Sequence, residues 1–475
     1  MTKKNNNFYL AVITPIIIFW LLLYFLGYPP PSVDDLAFTG AAINLVESGE
    51  FVNPWLAWWD ERLIERFFIQ PPFHQYTLAG WLLFFGISTR SFLLFNCICY
   101  CVFSSFAALI LKHYDFSKTT SFGVTLFFSF WMSSMGFRQD ALGMAYLAVG
   151  LWFLCRDRVF RYFFGFCFLG AALLSAPITI TYSFPFASAI LCHNFISKKV
   201  QNRYITVRAL SLLGAIIVIF LLFLLCIDFK LGLFLSDLSW HSSFRRQPIT
   251  EVIPAALWIV SIGYGKIIHG SLFSIYTILC CFVFLKKEKF SRKLKVVLTT
   301  LNIALCLNFF VYVSTIVGIF SFFCWTGVIL IWSEIQLQKT KKIILSFLCI
   351  VVFAVNNSLS IISILGSSKG SDVTYREVQK FVSTYPNKTY VMDSAAVRFA
   401  FDYKLPVEII DWTFSVPAPL AYPISLSQKP NNAVWIIAAA KGAIVRELPD
   451  FPRAKVLGYE FQSVPRNPYA LTIIE

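Results

Sequence analysis

Long stretches of the chain run without one Asp, Glu, Lys or Arg, among them 8–28, 91–111, 119–137, 141–155, 162–197, 209–227, 267–285, 296–333 and 343–366. A bilayer core demands about 20 apolar residues of helix, and no water-soluble fold needs such runs repeated along most of its length. The expected fold class is therefore a polytopic α-helical membrane protein. Two of the runs are too long for one pass; splitting 162–197 near Pro177 and 296–333 near Val317 gives eleven transmembrane helices. Composition agrees. Of 475 residues 57% are hydrophobic, 18% aromatic and only 14% charged, which excludes both a soluble enzyme and a disordered chain.

The first run follows Lys3 and Lys4 and precedes Pro29, Pro30 and Pro31, with no small-residue cleavage site between. It reads as an uncleaved anchor whose N-terminus is cytoplasmic. Eleven crossings then divide the cations unequally: the inner segments hold twenty Lys and Arg, the outer segments before residue 366 only eight. Cytoplasmic loops of membrane proteins are enriched in just this way, so the net charge of +15 requires no nucleic acid. Residues 252–265 are expected to form an interfacial helix; a crossing there would invert everything that follows.

Residues 367–475 gain charge and turn residues and lose the long apolar runs. A helical segment at 374–386 alternates with short β-rich runs at 388–394, 406–411, 432–440 and 469–475, which predicts a small α/β or α+β domain. Span parity places it outside the membrane on the extracytoplasmic face. All twelve cysteines lie inside apolar runs and read as small packing residues, not as disulfides or metal ligands.

The chemistry is expected in the first outer segment, 29–90. It carries Asp34, Asp35, Glu47, Glu50, Asp60, Glu61 and Glu65, seven of the eleven acids assigned outside before the C-terminal domain. Asp34 and Asp35 stand a few residues beyond the first helix, at the interface, where partial desolvation raises a carboxylate's basicity. The same pair also suits the N-terminus of a helix running through the Leu36–Gly49 stretch, where the dipole favours acids.

In order, "DDLAFTGAAINLVESGEFVNP", "QPPFHQYTLAGWLLFFGIS" and then Arg90 at a helix start resemble the first outer loop of the GT-C superfamily glycosyltransferases, in the branch of protein O-mannosyltransferases and lipid A aminoarabinose transferases. The shared elements are an acidic pair opening an interfacial helix, a Ser-Gly-acid-aromatic turn closing it, a Pro-Pro step with a Tyr, and Phe-Gly before an Arg. A second match is "GFRQDALGMAYL", where the family places an acid in the outer loop between the third and fourth helices.

That resemblance implies a polyprenyl-phosphate sugar donor, membrane lipids around it, and an extracytoplasmic glycolipid, polysaccharide or protein as acceptor, in a bacterial inner membrane. It assigns Asp34 as the catalytic base, Asp35 to orienting acceptor or metal, and Asp140 as the second acid. Phosphate contacts fall to Arg90 and Arg138, with Arg66, Lys266, Arg62, Arg245 and Arg246 behind them, since Arg grips phosphate oxygens in pairs. Tyr76 and Gln70 complete the expected substrate contacts. This chain departs from the aminoarabinose enzymes at two adjacent positions: Gln70 stands where they have Lys, and Ile69 where they have an acidic metal ligand. A divalent metal is left with His74 and His241 as its only outer histidine ligands. Trp55, Trp58, Trp59 and Trp240 read as the interfacial aromatic belt.

Two other classes share parts of this pattern. A polysaccharide polymerase or ligase would concentrate its basic sites in mid-chain loops, whereas here the acids crowd into the first one. A transporter would show internal repeats or charged, broken mid-membrane helices; Pro177 and Pro185 break one hairpin, and neither other sign is present.

Overall fold

The computed structural model describes residues 7–27, 34–53, 61–132, 138–156, 159–197, 202–243, 267–286, 290–311 and 316–334, then Ser383 and five strands. A π-helical stretch, Tyr9–Ile13, leads into α1 (Thr14–Phe25). There follow α2 (Asp34–Glu47), α3 (Phe73–Phe85), α4 (Thr89–His113), α5 (Lys118–Met132), α6 (Asp140–Cys155), α7 (Val159–Ser175), α8 (Ile180–Ser197) and α9 (Asn202–Cys226). The remaining described helices are α10 (Leu231–Ser243), α11 (Ile267–Leu285), α12 (Arg292–Val311) and α13 (Ile316–Glu334). The expected break near Pro177 is a single 3-10 turn, Pro177–Thr179, between α7 and α8. The expected break near Val317 falls between α12 and α13. Residues 343–366 lie outside the described residues.

The exterior of this bundle is apolar. On α9, Leu210, Leu213, Ile216, Ile217, Phe220 and Leu221 are all exposed, which only a hydrocarbon solvent tolerates along a whole helix. Lipid gives no hydrophobic drive for helices to associate, so they hold together by close packing at small residues. α6 shows how. It is buried along nearly its whole length, and a Cβ on Gly150 would stand 2.9 Å from the Gly165 carbonyl of α7. Any larger residue there would force the two backbones apart.

Contacts between helix termini define two ends. At one, the Lys112 ammonium sits 4.8 Å from the Phe8 ring and 4.9 Å from that of Tyr9. There too the Cys155 thiol lies 3.9 Å from the Tyr114 hydroxyl, and Lys293 donates to the Tyr114 carbonyl at 2.6 Å. This is the basic end. At the other, Arg90 donates to the Tyr24 carbonyl at 3.3 Å, so α1 finishes where α4 begins. Because α4 to α9 alternate in direction through short connections, α6 starts and α9 finishes at this second end, which also holds α2. α11 must start there as well, since α12 starts at the basic end. Residues 252–265, expected to form an interfacial helix, lie outside the described residues.

In the C-terminal part, β1 (Tyr390–Met392), β2 (Ile409–Asp411), β3 (Val434–Ala440), β4 (Ala454–Gln462) and β5 (Pro468–Ile474) form one mixed sheet in the order β2-β1-β3-β5-β4. β1 pairs in parallel with β2 and β3, and β5 antiparallel with β3 and β4. Ser383 is helical; the rest of the expected 374–386 helix lies outside the described residues. Four of the five strands fall on the β-rich runs read from the sequence.

Candidate active site

α2 begins at Asp34, as the acidic pair implies, and ends in a Ser48–Gly49 turn in which Gly49 has φ +77°, a conformation costly for any side chain. The chain then doubles back on itself: Phe67 N–H donates to the Phe51 carbonyl and Asn53 N–H to the Leu63 carbonyl, each at 2.8 Å. Pro71 and Pro72 set the entry into α3, with Pro72 at its N-cap, and Gly86 at φ +76° closes it. α2 is thus pinned between the loop and α3, and Gln75, fully buried on α3, donates its amide to the Phe38 carbonyl of α2 at 3.0 Å.

Phe38 lies one helical turn after Asp34, so the two positions share a face of α2. The guanidinium of Arg138 stacks on the Phe38 ring, 4.7 Å from its centroid. Arg138 in turn donates through Nε to Asp140 Oδ2 at 2.9 Å. Asp140 is buried in the first turn of α6, where the helix dipole stabilises its charge, and it lies within electrostatic range of buried Tyr182 on α8. The start of α2 and the start of α6, about a hundred residues apart in sequence, are therefore joined through one ring and one guanidinium.

The other expected residues are placed as follows. Arg90 is exposed at the start of α4, its ring-facing side 5.9 Å from the Tyr24 centroid, and it serves the last carbonyls of α1. Arg66 meets Asp237 of α10 through Nε at 2.6 Å and Nη2 at 3.3 Å, and Arg62 meets the same carboxylate at 3.3 Å while stacking 4.3 Å over Trp240. Tyr76 donates to the Cys226 carbonyl at the end of α9, 2.9 Å away. Burial, then the nearby Cys226 and Asp228, push its phenol up to about 12, so it stays a donor. Gln70 is buried beside Pro71. Lys266, Arg245, Arg246, Trp55, Trp58 and Trp59 lie outside the described residues. Asp35 follows Asp34 in the first turn of α2.

For a divalent metal the described residues offer little. Ile69 is packed with Ala41, Leu63 and Phe67, so an apolar seal occupies the place of the family's acidic ligand. His74 is buried against Phe95, ring centroids 6.3 Å apart, and His241 is buried on α10. Among the described residues no three His, Cys, Asp or Glu side chains converge.

No protein family and no curated protein matches the sequence. The three-dimensional structure is similar to the crystal structure of ArnT from Cupriavidus metallidurans bound to undecaprenyl phosphate, with a TM-score of 0.55 at 11% identity over 97% of each chain. The chain has the fold of that protein. At that identity the likeness lies in the path of the backbone, over 97% of the chain.

Asp237 is the residue that sequence reading passes over. It ties the segment before α3 to α10 by two arginines more than 170 positions away. Its one signal was an acid within the amphipathic segment "LGLFLSDLSWHSS", with Trp240 and His241 three and four residues on, on the same helical face.

Proposed function

We propose that this protein is an inverting membrane glycosyltransferase that moves a sugar from a polyprenyl-phosphate donor to an extracytoplasmic glycolipid, polysaccharide or protein. The observation that carries this reading is the junction of Asp34's helix with the Arg138–Asp140 pair at one end of the bundle. ArnT, of the same fold, was crystallised with undecaprenyl phosphate, a lipid of the class this site would release.

In the reaction, an acceptor hydroxyl attacks the anomeric carbon from the face opposite the phosphate. A C–O bond forms there, the C–O bond to phosphate breaks, and the phosphate keeps the electron pair. Asp34 takes the hydroxyl proton. Arg138 stabilises the charge that grows on the leaving phosphate, and Asp140 with Phe38 fixes the direction in which its guanidinium points. Asp35 orients the acceptor, Arg90 supports the phosphate as a second cation, and Gln70 and Tyr76 line the approach of the sugar. Because Ile69 closes the expected ligand position, no step is routed through a metal.

On this reading residues 1–366 are the catalytic membrane domain, with 29–90 its active loop, and 367–475 an extracytoplasmic domain. The N-terminus and the basic end face the cytoplasm of a bacterial inner membrane, as the excess of Lys and Arg there supports. Mass analysis of surface glycans from cells with and without the protein tests the proposal: one glycan should lack one sugar residue in its absence, and identical glycans would refute it.

A further inference from the structure

Away from the candidate site, α11 and α12 run antiparallel, and Tyr276 Oη of the first donates to Asn302 Oδ1 of the second at 2.7 Å. Tyr276 is wedged in place by Gly327 of α13, where a Cβ would collide with the ring. Beside this bond lies a cavity of about 550 Å³ lined by Thr277, Cys281, Phe284, Leu285 and Cys306 among others. A second hollow shares Phe284, Asn302 and Cys306 and extends it to Thr299. Cys281 and Cys306 are exposed, so the groove opens sideways to the bilayer.

Below this apolar groove the surface becomes cationic. On α12 the lining positions Thr299, Asn302 and Cys306 follow one helical stripe, and the same stripe continues back one and two turns to Lys295 and Arg292. Lys286 directly follows Leu285, the last residue of α11, and is exposed, as is Arg292. Cations in the first turn of a helix oppose its dipole, whereas an anion there is stabilised by dipole and cations together. The carboxylate of Glu334 is engaged by Ser291, whose N–H donates to it at 2.9 Å.

We propose that this groove holds one anionic membrane phospholipid, an acyl chain lying between α11 and α12 and the headgroup phosphate resting on Lys286, Arg292 and Lys295. Charge complementarity selects the occupant: the hollow is apolar and, among the described residues, it continues along α12 into this three-cation foot, the pattern by which basic pockets between membrane helices hold anionic lipid heads. The foot lies at the basic end, with Lys293, and so at the end of the bundle opposite Asp140. A donor lipid whose phosphate reacts at Asp140 is thereby a different molecule, and this proposal stands independently of the sugar-transfer reading.

Native mass spectrometry of the full chain, released from micelles holding equal phosphatidylglycerol and phosphatidylcholine, tests it. Phosphatidylglycerol should be retained about tenfold or more over phosphatidylcholine. The combined Lys286→Gln, Arg292→Gln and Lys295→Gln variant should lose that preference, and Cys306→Trp should lower retention of both lipids. Equal retention by the natural chain, or an unchanged preference in the triple variant, overturns the proposal; so does displacement of phosphatidylglycerol by equimolar undecaprenyl phosphate. Should the triple variant not fold, maleimide labelling of Cys281 and Cys306 in the natural chain decides. Labelling several-fold slower in phosphatidylglycerol nanodiscs than in phosphatidylcholine supports the site, and equal rates overturn it.

Discussion

The Arg138 guanidinium rests 4.7 Å above the centre of the Phe38 ring while its Nε holds Asp140 at 2.9 Å. Two elements far apart in sequence, the acidic start of α2 and the acidic start of α6, are thereby registered against one another. Phe38 supplies a flat, polarisable surface that fixes the plane of the guanidinium without competing for its N–H donors.

Replacing Phe38 tests that role. Phe38→Leu keeps the apolar volume and removes the ring face, a loss of roughly 1 kcal/mol of cation–π attraction. Transfer rate should fall about fivefold, with little change in the amount of inserted protein, and Phe38→Tyr should restore it. Rate assays on the two variants at matched expression give the comparison.

Arg138→Ala should raise the donor concentration needed for half-maximal rate far more than the acceptor concentration, because the guanidinium is assigned to the departing phosphate. A loss equal for both substrates would make Arg138 a strut for Asp140 and nothing more. Asp140→Asn should preserve the fold and reduce the rate through a misdirected Arg138.

The Asp237 cluster makes a prediction about stability. Its carboxylate is nearly inaccessible and engages both Arg62 and Arg66. Asp237→Ala leaves two cations facing a gap, which costs about 3 kcal/mol or more. A double-mutant cycle between Arg66 and Asp237, read by thermal unfolding in micelles, should give a coupling of roughly 2 kcal/mol. Near-zero coupling would show that the loop is held by its backbone bonds alone.

His74 sets a pH response. Burial pushes it down to about 3 from its usual 6.5. On acidification the unfolded chain takes up a proton near pH 6.5 while the folded chain does not. Its contribution is therefore complete above about pH 6.5 and is lost progressively down to about pH 3. Between pH 7 and pH 5 stability should drop by roughly 2 kcal/mol on this account, and the drop should be absent in His74→Gln.

Much of the fold could be read from charge gaps alone. Runs without a charge mark the middles of α4 to α9, since a charge in lipid is costly; α9 extends seven residues past its run, through Arg208 and Arg203. The hairpin at Pro177 was legible because proline cannot continue the helical hydrogen bonding. β4 was not: its sequence, "AKVLGYEFQ", mixes Lys455 and Glu460 with apolar residues, and a register shift between Val456 and Glu460 breaks the alternation that would have revealed it. Within the site, the acids were legible because carboxylates near a membrane face demand an explanation. Phe38 was not, since one Phe among fifty-one carries no mark, and its part follows only from the contact with Arg138. Asp237 was hidden because an acid on an amphipathic helix has an ordinary explanation in solvent.

The most direct test of the central claim is mass spectrometry of lipid-linked sugars and surface glycans from cells carrying either the natural chain or Asp34→Asn. With Asp34→Asn, inserted at normal levels, a polyprenyl-phosphate sugar should accumulate and one surface glycan should lose a single sugar residue. An unchanged lipid-linked pool with fully decorated glycans would contradict the account, because a chain without its base would still be transferring.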